Sequence, residues 1–138
     1  MATGEFASWA DCAADLVAVA AGRSSADLVV QNSRLVNVQS REVLENWQIA
    51  VVRGRFAYVG PDARHCIGPK TQIIDAGGRY LIPGLCDGHM HIESGMLIPA
   101  EFAAAVIPYG TTTMFTDPHE IANVLGLAGV RMMHDEAL

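Results

Sequence analysis

From Arg79 onward the apolar pattern of this chain switches period repeatedly, and that alternation restricts its fold more than any other feature. A short apolar run, Arg79-Tyr80-Leu81-Ile82, leads through Pro83-Gly84 into Leu85-Cys86-Asp87-Gly88-His89-Met90-His91. A helical stretch from about Pro99 to Ile107 follows, stopped by Pro108 and Gly110. Thr111 to Thr116 (TTTMFT) is β-branched, and from Pro118 a helical pattern carrying Ile121, Leu125, Val130 and Met133 runs to the end. Strand, helix, strand, helix is the signature of βα units on a parallel sheet. The last helix reaches Leu138 in mid-pattern without a Gly or Asn cap, so the chain is expected to be part of a longer one.

Upstream the pattern is different. Residues 8–21 place Trp9, Cys12, Leu16 and Val19 at helical spacing before Gly22, which predicts an N-terminal helix. From Asp27 the runs LVVQNSRLVNV, WQIAVV, RFAYVG and TQIID are β-branched or aromatic and separated by turn residues, which predicts a β-rich meander over 27–75. Val52-Arg53-Gly54-Arg55-Phe56 is a tight hairpin candidate with Gly54 at its turn, and Gly60-Pro61-Asp62 marks the next exit. The expected division is a helical extension over 1–25, a β-rich segment over 26–80, and two βα units over 81–138.

Composition narrows the function classes. Of 138 residues 51% are hydrophobic and 17% charged, enough apolar surface for a core. Nine basic residues against fifteen acidic ones give a formal charge of −6, and the basic ones are scattered singly. Neither a nucleic-acid footprint nor a polybasic membrane patch is therefore expected. Cys12, Cys66 and Cys86 are odd in number and form no Cys-x-x-Cys pair, which argues against a disulfide framework and a zinc knuckle and fits a reduced, cytoplasmic compartment. The run Leu16 to Ala21 is short and is preceded by Glu5, Asp11 and Asp15 with no basic residue before Arg23, unlike an export signal. No stretch approaches the ~20 apolar residues of a membrane span.

Chemistry concentrates in two places. His89 and His91 stand two apart on an expected strand, whose period puts both imidazoles on one face with Cα atoms roughly 6.5 Å apart, so that both can reach one metal ion. Asp87 precedes them as a carboxylate able to orient a ligand histidine. Glu93 continues the same face, either as a further polar group of the site or as a solvated carboxylate. The second place is Asp117-Pro118-His119-Glu120, where the second strand hands over to a helix. One reading makes Asp117 the N-cap, Pro118 the first helical residue and Glu120 the partner in a capping box. The other turns Asp117, His119 and Glu120 toward the histidine pair, because loops after parallel barrel strands open onto the face that carries active sites. The two are compatible, since a cap can fix a catalytic loop.

Other motifs fail. His119-Glu120-Ile121-Ala122-Asn123 begins like a zinc-protease helix, but Asn123 stands where the second histidine belongs. The Pro-Cys-x-x-Cys pair of base-flipping zinc deaminases is absent, as are a P-loop and a Gly-x-Gly-x-x-Gly fingerprint.

The string PGLCDGHMHIES, after a β-rich segment, resembles the first barrel strand of the amidohydrolase superfamily. Within it, HIESGMLIPAEFAAAVIPYGTTTMFTDPHEIANVLGLAGVRMM is similar to the bacterial adenine deaminase family, the resemblance covering about residues 27–136. Gly95 and Thr116 stand where that family commonly has Ser and Ala; neither is a metal-ligand position. The resemblance implies an α/β fold: a partial (β/α)8 metal-dependent hydrolase barrel preceded by part of a small β-sandwich domain built from both chain ends. It implies His89 and His91 as metal ligands, and Asp117, His119 and Glu120 in the active-site or accessory metal environment, with Asp117 and Glu120 as catalytic candidates. The implied cofactor is a divalent metal, manganese or iron ahead of zinc. The implied reaction is adenine plus water to hypoxanthine plus ammonia, by a full-length homo-oligomer. The family's bridging Glu, two further His and a last-strand Asp fall beyond Leu138. A barrel takes about 250 residues, so residues 81–138 supply about two of eight units and the chain is expected to be inactive and poorly folded alone. The alternatives are a dihydroorotase-like or hydantoinase-like cyclic-amide hydrolase, or a truncated module without catalysis.

Overall fold

The computed structural model describes residues 8–138, which divide into two compact units at Pro83/Gly84. Residues 1–7, the start of the expected extension, lie outside the described residues.

In the first unit, α1 (Trp9–Ala20) begins at Ser8, whose hydroxyl accepts from the Asp11 N–H at 3.2 Å, and gives way at Gly22 with φ +68°. Cys12 and Val19 are fully buried and Leu16 between them is half-buried, so one stripe of the helix covers the sheet. Trp9 lies off that stripe, 66% exposed, with the Arg55 guanidinium 4.5 Å from its ring centre. Arg53 fastens the helix to the hairpin below it, donating to the Asp11 carbonyl at 2.9 Å and to the Asp15 carboxylate at 3.0 Å.

The hairpin is where the sequence predicts it. β2 (Glu42–Val52) and β3 (Arg55–Gly60) are antiparallel and joined by Arg53 and Gly54, with φ +51° and +71°. Two consecutive positive φ values match the twist of the flanking strands. β1 (Leu28–Asn37) pairs antiparallel with β2 and carries a bulge at Ser33, whose buried hydroxyl donates to the Trp47 carbonyl at 2.7 Å. The expected meander stops there. β4 (Gln72–Asp75) and β5 (Tyr80–Leu81) both run parallel to β1, giving the order β3-β2-β1-β4 with β5 also on β1. After Gly60 the chain crosses through a 3-10 turn, Arg64–Cys66, whose Ala63 and Cys66 are buried with Val19, Val29, Ala50 and Val52. Covering that face with α1 and the crossover is what carries the chain to the far edge of β1. The opposite face holds an open apolar hollow of about 550 Å³ lined by Val30, Leu35, Trp47, Val51, Phe56 and Leu81 among others.

The second unit keeps the expected order. β6 (Leu85–Met90) and β7 (Thr111–Thr116) are parallel neighbours, connected through α2 (Pro99–Val106) and the 3-10 turn Ile107–Tyr109. Any side chain at Gly84 would overlap that of Thr112 on β7, so this glycine permits the strands to approach. The single helix expected from Pro118 is two: α3 (His119–Leu125) and α4 (Leu127–Glu136). Gly126 separates them at φ +63° and ψ −148°, a backbone state open only to glycine. α4 then folds back on α3, where buried Gly129 lies so close that a Cβ would stand 2.8 Å from the Ile121 carbonyl oxygen. Among the described residues no helix is long and apolar enough to cross a membrane.

Candidate metal centre

β6 ends at Met90, so His89 is its penultimate residue while His91 opens a 3-10 turn, Ile92–Gly95. His91 keeps extended backbone (φ −109°, ψ 95°), so the two-residue period survives past the strand end and both rings stay on one face. Their Nε2 atoms stand 2.9 Å apart. Asp117, directly after β7, completes a group whose ligand atoms all lie within 4.8 Å of one another. Two nitrogens each ~2.0–2.1 Å from one ion are at most ~4 Å apart, and this pair satisfies that limit.

The tautomer of His91 is fixed by its surroundings. Its Nδ1 stands 2.7 Å from the Asp117 main-chain carbonyl. A carbonyl only accepts, so Nδ1 carries the proton and Nε2 presents its lone pair to the neighbouring histidine, which is the state a ligand imidazole needs. The Asp117 N–H in turn donates to the Met90 carbonyl at 2.9 Å, continuing the β6–β7 pairing one residue beyond the strands. His119 packs edge-on against His91 with ring centres 4.6 Å apart, and its Nδ1 lies 3.1 Å from Asp117 Oδ2.

The other candidates take different places. Asp87 accepts from the His89 main-chain N–H at 3.1 Å, so it orients that histidine through the backbone and not through the ring. The strand face expected to continue through Glu93 ends before it, and Glu93 sits on the 3-10 turn. Asp117 does not cap α3, because its carboxylate faces His119; Pro118 is the capping residue and makes no side-chain bond. The cap comes from another loop: Glu93 Oε1 accepts from the N–H groups of Glu120 at 3.2 Å and Ile121 at 3.5 Å. Glu120 meets Ser94, whose hydroxyl donates to its Oε1 at 2.6 Å. Ser94 and the Asp117 carbonyl escaped the sequence reading. Serine in a loop carries no pattern, and a main-chain acceptor has no residue type to flag it.

Residues 80–138 match the Amidohydrolase family. This stretch is similar to amidohydrolase sequence. Over 133 residues the chain is 74% identical to adenine deaminase of Ruegeria pomeroyi, covering 96% of this chain and 22% of that protein. It is 71% identical to adenine deaminase of Ruegeria sp. strain TM1040, with the same two coverages. Among solved structures, L-hydantoinase (dihydropyrimidinase) from Arthrobacter aurescens superposes with a TM-score of 0.51 at 32% identity, covering 67% of this chain and 20% of that one. The chain therefore spans about a fifth of the length of the curated relatives it matches. The amidohydrolase family implies a divalent metal, and the donor set of two imidazoles and a carboxylate fits one.

Proposed function

We propose that this chain is the opening part of a metal-dependent amidohydrolase that deaminates adenine to hypoxanthine and ammonia, and that it is inactive without the rest. The observation that carries the reading is the convergence of His89 Nε2 and His91 Nε2 at 2.9 Å, with the His91 proton held away on Nδ1. The names of the relatives support adenine as the substrate and favour it over the cyclic-amide alternative. In this reading β6, α2, β7 and α3–α4 are the first two units of a (β/α)8 barrel. The sheet of the first unit is one layer of a small β-sandwich, which its apolar outer face supports.

His89 and His91 would hold the metal, with Asp117 as the third donor at hand. When bound, a divalent ion of manganese, iron or zinc supplies Lewis acidity that makes hydroxide available near neutral pH. The chain's own residues orient and move protons. The Asp117 carbonyl keeps His91 in its ligand tautomer, and the Asp117 carboxylate, 3.1 Å from His119 Nδ1, is placed to exchange a proton with that ring. Deamination needs such a carrier: water adds at C6 of the purine, the C6–N bond breaks, and the amino group leaves as ammonia only after protonation. Glu120, bonded to Ser94, serves the same loop from behind. A hydrolytic metal site takes about three protein ligands and an open position; this chain would bring two histidines with Asp117 beside them, and the rest of the site would come from the longer protein.

The test uses the full-length protein loaded with manganese or iron, followed by the change in absorbance from adenine to hypoxanthine. Turnover is expected, is lost on chelation, and returns with the metal. His89→Ala and His91→Ala are each expected to lower metal affinity by more than the roughly 10- to 100-fold typical of residues that only support a ligand. The 138-residue chain is expected to give no turnover. Deamination by the short chain, or full metal content in both histidine variants, would overturn the reading.

A further inference from the structure

Glu93 belongs to the loop after β6, yet its bonds are made to the loop after β7. One oxygen, Oε1, receives two main-chain N–H groups at the start of α3; the other, Oε2, is buried without a hydrogen-bond partner. Ser94 repeats the link with the Glu120 side chain. The segment fastened in this way begins at Asp117, whose carbonyl fixes the His91 proton. Pro118 at the start of α3 has no side-chain donor or acceptor of its own, so the orphan N–H groups of this seven-residue helix depend on the neighbouring loop.

We propose that Glu93 is the positioning residue of this site: by capping α3 across the two loops it holds the Asp117 carbonyl against His91 Nδ1 and keeps His91 Nε2 free to ligate. Glu93 lies outside the three-residue donor group, and its Oε1 is committed to two N–H groups, so in this proposal it serves the ligand and does not hold the ion. The consequence at His91 rests on the metal-site reading; the tie between the loops does not.

Glu93→Ala and Glu93→Gln in the full-length protein separate these roles. Glutamine retains an oxygen for the two N–H groups but lacks the negative charge that strengthens a carboxylate's hold on a divalent ion. In metal-free protein, hydrogen exchange of the Glu120 and Ile121 amides is expected to rise roughly fivefold or more in Glu93→Ala, the loss of about one net hydrogen bond, and to stay near wild type in Glu93→Gln. Mn2+ affinity is expected to fall about 10- to 100-fold in Glu93→Ala and to be largely restored in Glu93→Gln. Unchanged exchange in Glu93→Ala would overturn the cap, and equal loss of Mn2+ in both variants would make Glu93 a ligand and overturn the positioning role. Wild-type protein that binds Mn2+ but leaves adenine untouched would sink the deaminase reading alone, since neither measurement uses adenine.

Discussion

Gly129→Ala is a perturbation whose sign is decided by the contact between α3 and α4. In an exposed helix interior alanine is favoured over glycine by about 1 kcal/mol. At Gly129 the new methyl would meet the Ile121 carbonyl oxygen at 2.8 Å, Ile121 Cγ1 at 2.9 Å and Leu125 Cβ at 3.1 Å. One of these is backbone, so the helices must separate by several tenths of an ångström, and overpacking of this kind costs about 1–3 kcal/mol. The balance is a net loss of about 0–2 kcal/mol where propensity alone gives a gain of ~1 kcal/mol. Exposed Ala128 is the internal control: Ala128→Gly is expected to destabilise by about 1 kcal/mol through propensity only. Urea denaturation reads both changes. Movement of Ile121 also loosens its N–H from Glu93, so Mn2+ affinity is expected to fall in Gly129→Ala and not in Ala128→Gly. Stabilisation by Gly129→Ala of about 1 kcal/mol would refute the close approach of the two helices.

Two further predictions concern the first unit. The Arg64 guanidinium, bonded at 2.6 and 3.0 Å, pulls the Asp62 carboxyl down from its ordinary 3.8 to about 2. A carboxyl lowered on folding contributes stability above the unfolded value and loses it as the pH falls through the folded one. Asp62→Asn is therefore expected to flatten the acid limb of the stability curve between about pH 4 and 2, and a carboxyl carbon shift in the wild type that titrates near 3.8 would refute the pairing. Ser33→Ala removes the donor to the Trp47 carbonyl in a buried bulge and is expected to cost about 1 kcal/mol in urea; a neutral result would mean that this carbonyl is satisfied without Ser33.

The parts of the fold written in local periodicity were legible. The alternation after Arg79, the Arg53-Gly54 hairpin and the shared face of His89 and His91 each follow from spacing within a few residues. Pairings between distant segments were not. Nothing within Gln72–Asp75 states that it joins β1 in parallel, because that depends on the crossover burying Ala63 and Cys66 on the other face. The capping box failed for a related reason. Its residue types are present at the right spacing, but Asp117 and Glu120 have stronger partners in His119 and Ser94, and the helix start is satisfied from the preceding βα loop. The break at Gly126 was hidden because the apolar residues on both sides keep helical spacing across it.

β1 has an unusual share of the first unit's pairings, being hydrogen-bonded to β2, β4 and β5. This sets an order of events during synthesis, when the chain is delivered from its N-terminus at about 5–20 residues per second. β1, β2 and β3 can pair through their local turns as soon as Gly60 has emerged, on a timescale of microseconds. The open flank of β1 then waits, for a second or more at these rates, until Gln72–Asp75 and Tyr80–Leu81 arrive to cover it. Through that interval the strand that the whole unit depends on presents unpaired backbone, and it is then that a nascent chain of this protein is most exposed to pairing with another. His89 and His91 come off the ribosome only after that edge has been closed.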